Sequence, residues 1–174
     1  MKRALVTSLV GMVFLAVFMS SQVYATRLGG KFVQSGTTTY LKFSYGGAHN
    51  YYGNVWQGAA NWRATPTDID IQPWPGAPSA IHIDVYDTYT SDTWWGATFF
   101  NPCSTCTYHR NYFYLNERTL KSESDFTRTK VATHEFGHAI GLAHAISGTS
   151  IMQQGHLSFN TPRTYDINDV NWIY

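Results

Sequence analysis

The sequence predicts a mixed α/β (α+β) fold: a five-stranded mixed sheet, an early helix packed on it, and a later helix that carries the chemistry. Three observations lead there. Five short runs rich in β-branched and aromatic residues are set off by Gly, Pro, Asn or polar turn residues. One stripe of apolar residues at near-helical spacing runs from Asn50 to Ala64. A second helical stretch starts at Ser122 and stops at Gly141, with no proline between.

The chain has 174 residues, which fits one domain. Lys2 and Arg3 precede an apolar run from Ala4 to Met19. Val23 and Ala25 then place small residues where signal peptidase reads them. Residues 1–25 are therefore expected to be a secretory signal peptide rather than an uncleaved anchor, because the run is short for a span of about 20 residues. No cysteine follows it, which argues against a lipoprotein anchor. The product is expected to be secreted, extracellular or periplasmic, and free of the membrane after the signal is removed. The remaining 149 residues suffice for one ordinary core. Without Lys2 and Arg3, ten cations face eleven anions. That near-neutral balance argues against nucleic acid or an anionic membrane as partner. A monomer is expected.

Residues 26–36 are short, polar and glycine-containing, and are expected to be a mobile N-terminal segment ahead of a domain spanning 37–174. Thr37 to Tyr45 alternates Leu41 and Phe43 with Lys42 and Ser44, the pattern of a first strand. Gly46 and Gly47 end it. Tyr52, Val55, Trp56, Ala59 and Trp62 give the next stretch a helical face, with the tryptophans expected in the core. Thr67 to Gln72 and Ile81 to Tyr86 alternate again as strands, separated by the turn Trp74 to Pro78. Asp84, Asp87 and Asp92 lie close enough in sequence to make Ca²⁺ possible, although turn-forming side chains in a solvated loop explain them as well. Trp94 to Phe100 and Tyr112 to Leu115 complete the five strands. Between them lie the only cysteines, Cys103 and Cys106. Export favours a disulfide that pins a turn. The competing reading is half of a zinc site with His109 nearby, for which a second C-x-x-C pair is missing. Ser122 with Asp125 resembles a capping box at the start of the last of these elements. Phe126, Val131, Ala132, Phe136 and Ile140 supply that helix with an inner face.

On this helix sits His134-Glu135-Phe136-Gly137-His138-Ala139-Ile140-Gly141-Leu142-Ala143-His144. His134 and His138 stand one turn apart on one face and can bind one Zn²⁺ from the same side. Glu135 between them can reach a water on that metal. A catalytic zinc needs a third protein ligand. No glutamate follows Glu135, and Asp166 and Asp169 are the only later carboxylates. His144 is the better candidate. A continuous helix would swing position 144 about 240° away from His138. Gly141 removes the difficulty, because glycine ends a helix at φ > 0 and lets the chain double back.

H-E-x-x-H-x-x-G-x-x-H is the signature of the metzincin zinc endopeptidases, and this stretch resembles it at every fixed position. Ser150-Ile151-Met152 resembles that family's methionine turn, and Pro162 to Tyr174 looks like the closing helix of its matrixin branch. The match is nearest to a compact bacterial matrixin-like protease. Gln154 stands where some branches place a tyrosine ligand, so a four-coordinate zinc bound by His134, His138 and His144 is implied. Thr98 stands where a histidine of a structural zinc site would be expected, so no such second zinc is implied. Residues 26–36 are too short, and lack the cysteine, for latency by a propeptide. The resemblance further implies that Met152 floors the zinc. It also implies that Gly96, Ala97, Thr98 and Phe99 form an edge strand on which an extended protein or peptide substrate pairs.

The expected activity is a secreted zinc metalloendopeptidase. Zinc lowers the pKa of its water toward about 7, and Glu135 takes the proton and passes it to the leaving amine. The alternative is a secreted binding module that keeps the zinc fold without proteolysis. An intact Glu135 favours the enzyme, since a binding module needs no general base.

Overall fold

Alternation decides the first long strand. Leu41 and Phe43 point into the core while Tyr40 lies on the open face. The same two-residue period places Ile69 and Ile71, then Ile83 and Val85, then Phe113 and Leu115, on the inner side of their strands. The computed structural model describes residues 27–33, 36–48, 50–77, 81–99 and 107–174. Residues 1–25, read as a signal peptide, lie outside them, as do Cys103, Cys106 and Phe100.

The elements in chain order are β1 (Lys31–Phe32), β2 (Thr39–Tyr45), α1 (Tyr52–Arg63), β3 (Ile69–Pro73), β4 (Ile83–Thr88), β5 (Gly96–Phe99), β6 (Thr107–Tyr108), β7 (Asn111–Asn116), α2 (Glu117–Leu120), α3 (Asp125–Ala139) and α4 (Thr164–Ile173). The five predicted strands form one sheet in the order β3-β2-β4-β7-β5. The first four run parallel, and β5 joins β7 antiparallel, with Gly96 opposite Leu115 and Phe99 opposite Tyr112. The sheet is therefore mixed, and β5 lies at its edge.

Helices α1 and α3 cover the inner face. Phe136 of α3 meets Phe43 and Phe113 edge-on, with ring centres 5.5 and 5.0 Å away. Burying aromatic side chains of this size contributes about 1.5–3 kcal/mol each. Buried polar groups fix the helix in register. Asn111 Nδ2 donates to Ala139 O at 2.7 Å, taking a carbonyl left open at the end of α3. Trp62 Nε1 donates to Thr133 O at 2.8 Å.

Several local expectations change. Residues 27–32 are tied down rather than mobile: Leu28 N–H donates to Gly141 O at 2.9 Å, and β1 pairs in parallel with β6. Phe32 is 1 % exposed and packs edge-on against His82 and Tyr108. Helix α3 starts at Ser124, not Ser122; the Ser124 side chain accepts the Thr127 N–H at 3.2 Å, an ordinary N-cap. Phe126, in the first turn, is 44 % exposed and does not join the inner face. On α1, Val55, Ala59 and Trp62 form the buried stripe, whereas Tyr52 and Trp56 flank it and stay exposed. Among the described residues no helix is long and apolar enough to cross a membrane.

Candidate metal centre and active site

The end of α3 builds the site. Gly141 has φ +108°. Its N–H donates to His138 O at 3.0 Å, and the Leu142 N–H donates to Gly137 O at 2.9 Å. These two bonds are a Schellman turn with glycine in the left-handed position. A side chain at 141 would also sit 2.8 Å from Gly30 O. The turn reverses the chain so that His144 returns over His138, with the two Nε2 atoms 3.1 Å apart. His134, His138 and His144 each offer a nitrogen, all within 4.8 Å of one another.

Main-chain carbonyls orient two of these rings. His134 Nδ1 lies 2.8 Å from Ile151 O, and His138 Nδ1 lies 2.7 Å from Leu142 O. Donation from Nδ1 leaves Nε2 with its lone pair facing the gap between the rings. Burial lowers the pKa of all three imidazoles, His134 most, and the neighbouring histidines and Lys130 add to the effect at His134. Neutral imidazoles with free Nε2 atoms are the form a metal requires. Zn–N bonds of about 2.0–2.1 Å at a tetrahedral angle set nitrogens about 3.3 Å apart. The His138–His144 spacing is close to this, and the histidine set fits Zn²⁺.

Met152 is fully buried beside Gly137. Its turn hangs from Asp166 in α4. The Asp166 carboxylate accepts from Ser150 Oγ at 2.5 Å, Ile151 N at 2.9 Å and Arg163 N at 2.7 Å. Asp166 thus anchors the turn whose Ile151 carbonyl holds His134. Its sequence position alone did not point to this role.

Glu135 is 4 % exposed and lines the cleft on the side of β5. Thr98 Oγ1 donates to Glu135 Oε2 at 2.7 Å. Burial pushes the Glu135 carboxyl up to about 7, against the opposing pull of the Thr98 hydrogen bond and the Lys130 charge. Gly96 allows this approach, because a Cβ there would stand 2.6 Å from Glu135 Oε1. The cleft encloses about 610 Å³ and is lined by Trp95, Gly96, Ala97 and Thr98 on one side and by the three histidines on the other. Phe99 is exposed beyond it and stacks on Tyr112. Leu28 of the N-terminal segment and Lys130 also line it, and neither carries a sequence motif.

The three candidate calcium ligands do not converge. Asp84 pairs with Arg110, Asp87 accepts the Ala48 N–H, and Asp92 accepts from Thr90 Oγ1. Among the described residues the three histidines are the one group placed to hold a metal.

The matrixin family model matches residues 32–174. The chain belongs to the matrixin family. Matrixins are zinc endopeptidases, and their substrates are proteins or peptides. Matrix metalloproteinase-27 of Homo sapiens is 38 % identical over 68 residues, which are 36 % of this chain and 13 % of that protein. The chain therefore spans about an eighth of that relative. The solved structure of myroilysin aligns with a TM-score of 0.47 at 18 % identity, covering 64 % of this chain and 52 % of that one.

Proposed function

We propose that this matrixin is a secreted zinc endopeptidase in which His134, His138 and His144 hold one Zn²⁺ and Glu135 is the general base. The observation that carries the reading is a buried carboxylate held beside three convergent histidines in an open cleft. Bound there, Zn²⁺ would supply Lewis-acid polarisation of the scissile carbonyl and acidify the attacking water.

The chain's own groups do the rest. Thr98 holds Glu135 Oε2 and leaves Oε1 to take a proton from the attacking water. The same carboxylate would accept that proton and give it up to the leaving amine nitrogen. Gly141 and the Ile151 and Leu142 carbonyls hold the ligand rings, and Met152 packs beneath them. The free edge of β5 offers main-chain N–H and C=O groups to an extended peptide, which would add to the sheet as a further strand.

Digestion of casein or gelatin with and without a zinc chelator tests the activity. Cleavage that disappears on chelation and returns with added Zn²⁺ is expected. Full activity in chelator, or no cleavage of either protein or of a broad peptide library, would overturn it.

A further inference from the structure

The cleft holds a charge that the proposed chemistry does not use. Lys130 lies one turn before His134 on the same face of α3. It is 4 % exposed, yet lines the cleft. Its Nζ donates to Gln153 O at 3.4 Å, the long limit of a hydrogen bond, and lies 5.8 Å from the centre of the Trp95 ring. An ammonium has three donors, of which Gln153 O takes one. Lys130 and Glu135 are the two charged side chains that line the cleft; their opposite charges act on each other, and Glu135 also accepts from Thr98. Taking an ammonium out of water is costly, and a ligand carboxylate in the cleft would add to the compensation that Glu135 and Gln153 O supply. The apolar wall of Trp95 and Val131 beside it suits the methylenes of a short acidic side chain.

We propose that Lys130 is a specificity-determining residue that selects peptides carrying Asp or Glu next to the cleaved bond. The carboxylate would pair with the ammonium where water is largely excluded, which strengthens the pair and penalises an uncharged isostere. The inference rests on the peptidase reading for its setting in the reaction, but not for the binding itself.

The test is a peptide library varied at the positions flanking the scissile bond, with Glu compared with Gln and Asp with Asn. Wild-type zinc-loaded protein is expected to cleave acidic peptides at least about tenfold faster in kcat/KM than the amide isosteres at one position. K130M keeps the packed stem, and it should lose that preference and keep its zinc content. K130E should shift the preference toward Lys or Arg at the same position. Equal rates for Glu and Gln in the wild type, or an unchanged preference in K130M, would overturn the proposal. If no peptide is cleaved, the peptidase reading fails, and binding decides this one separately. Zinc-loaded E135Q should bind Glu peptides at least about tenfold tighter than Gln peptides, with the difference lost in the E135Q/K130M double variant. Equal binding contradicts it.

Discussion

Thr98 shows how a single hydroxyl tunes the proposed base. Its Oγ1 stands 2.7 Å from Glu135 Oε2 and is the only side-chain donor recorded on that carboxylate among the described residues. Thr98→Val keeps the shape and removes the bond. The expected result is a fall of about tenfold in kcat/KM, the worth of roughly 1.4 kcal/mol of hydrogen bonding to a charged group, with zinc affinity unchanged. Peptide hydrolysis with a parallel zinc titration measures both; unaltered kcat/KM would remove Thr98 from the account. His134 and His138 were legible from a four-residue interval on a helix, and His144 from the glycine before it, the lack of any later glutamate and the family motif. The contact of Thr98 with Glu135 and the place of Lys130 in the cleft were not. Thr98 comes to Glu135 from 37 residues away across the sheet edge. Lys130 has the right helical phase, but phase does not tell a solvated lysine from one turned into a cleft.

At the scale of elements, the methionine turn and α4 act as one unit. Asp166 sits at the third position of α4, reaches back to the Arg163 N–H that caps the helix, and also takes the Ile151 N–H and the Ser150 hydroxyl. Asp166→Ala would leave two buried donors and one half-buried donor without this partner, a loss of about 3 kcal/mol. For a chain of this size the melting temperature should fall by roughly 6–12 °C. Zinc affinity should weaken as well, because Ile151 O orients His134. A melting temperature within about 2 °C of wild type would refute the anchor. The strands were readable because alternation survives in β2, β3 and β7, and because β-branched and aromatic residues mark the others. The N-cap moved from Ser122 to Ser124 because two serines two residues apart offer rival caps, and packing chooses between them. The pair β1 and β6 escaped sequence reading entirely. Each is two residues long, and their register joins Lys31 to Thr107 across 76 residues. No periodic signal exists at that length.

For the whole molecule, the N-terminal segment, the sheet and the site helix form one closed circuit. Residues 27–32 clip the turn after α3 and place Phe32 against His82, next to the start of β4. His82 Nδ1 accepts the Lys42 N–H at 3.1 Å, which only a neutral ring can do. Burial, then the Lys42 charge, lowers its pKa below the ordinary 6.5. The folded value is the lower one, so this stability is present above about pH 6.5 and drains away as pH falls toward the folded value. His82→Asn keeps an acceptor and removes the titration. Its stability should therefore decline less than wild type between about pH 6.5 and 5 in urea unfolding; parallel curves would rule His82 out as an acid-sensitive group. The central claim concerns the division of labour between three metal ligands and one base. It is tested most directly by Glu135→Ala, assayed for bound zinc and for casein hydrolysis on the same sample. The account predicts one Zn²⁺ per chain, as in wild type, and a loss of at least about 100-fold in hydrolysis. Loss of the zinc, or hydrolysis near the wild-type rate with zinc bound, would contradict it.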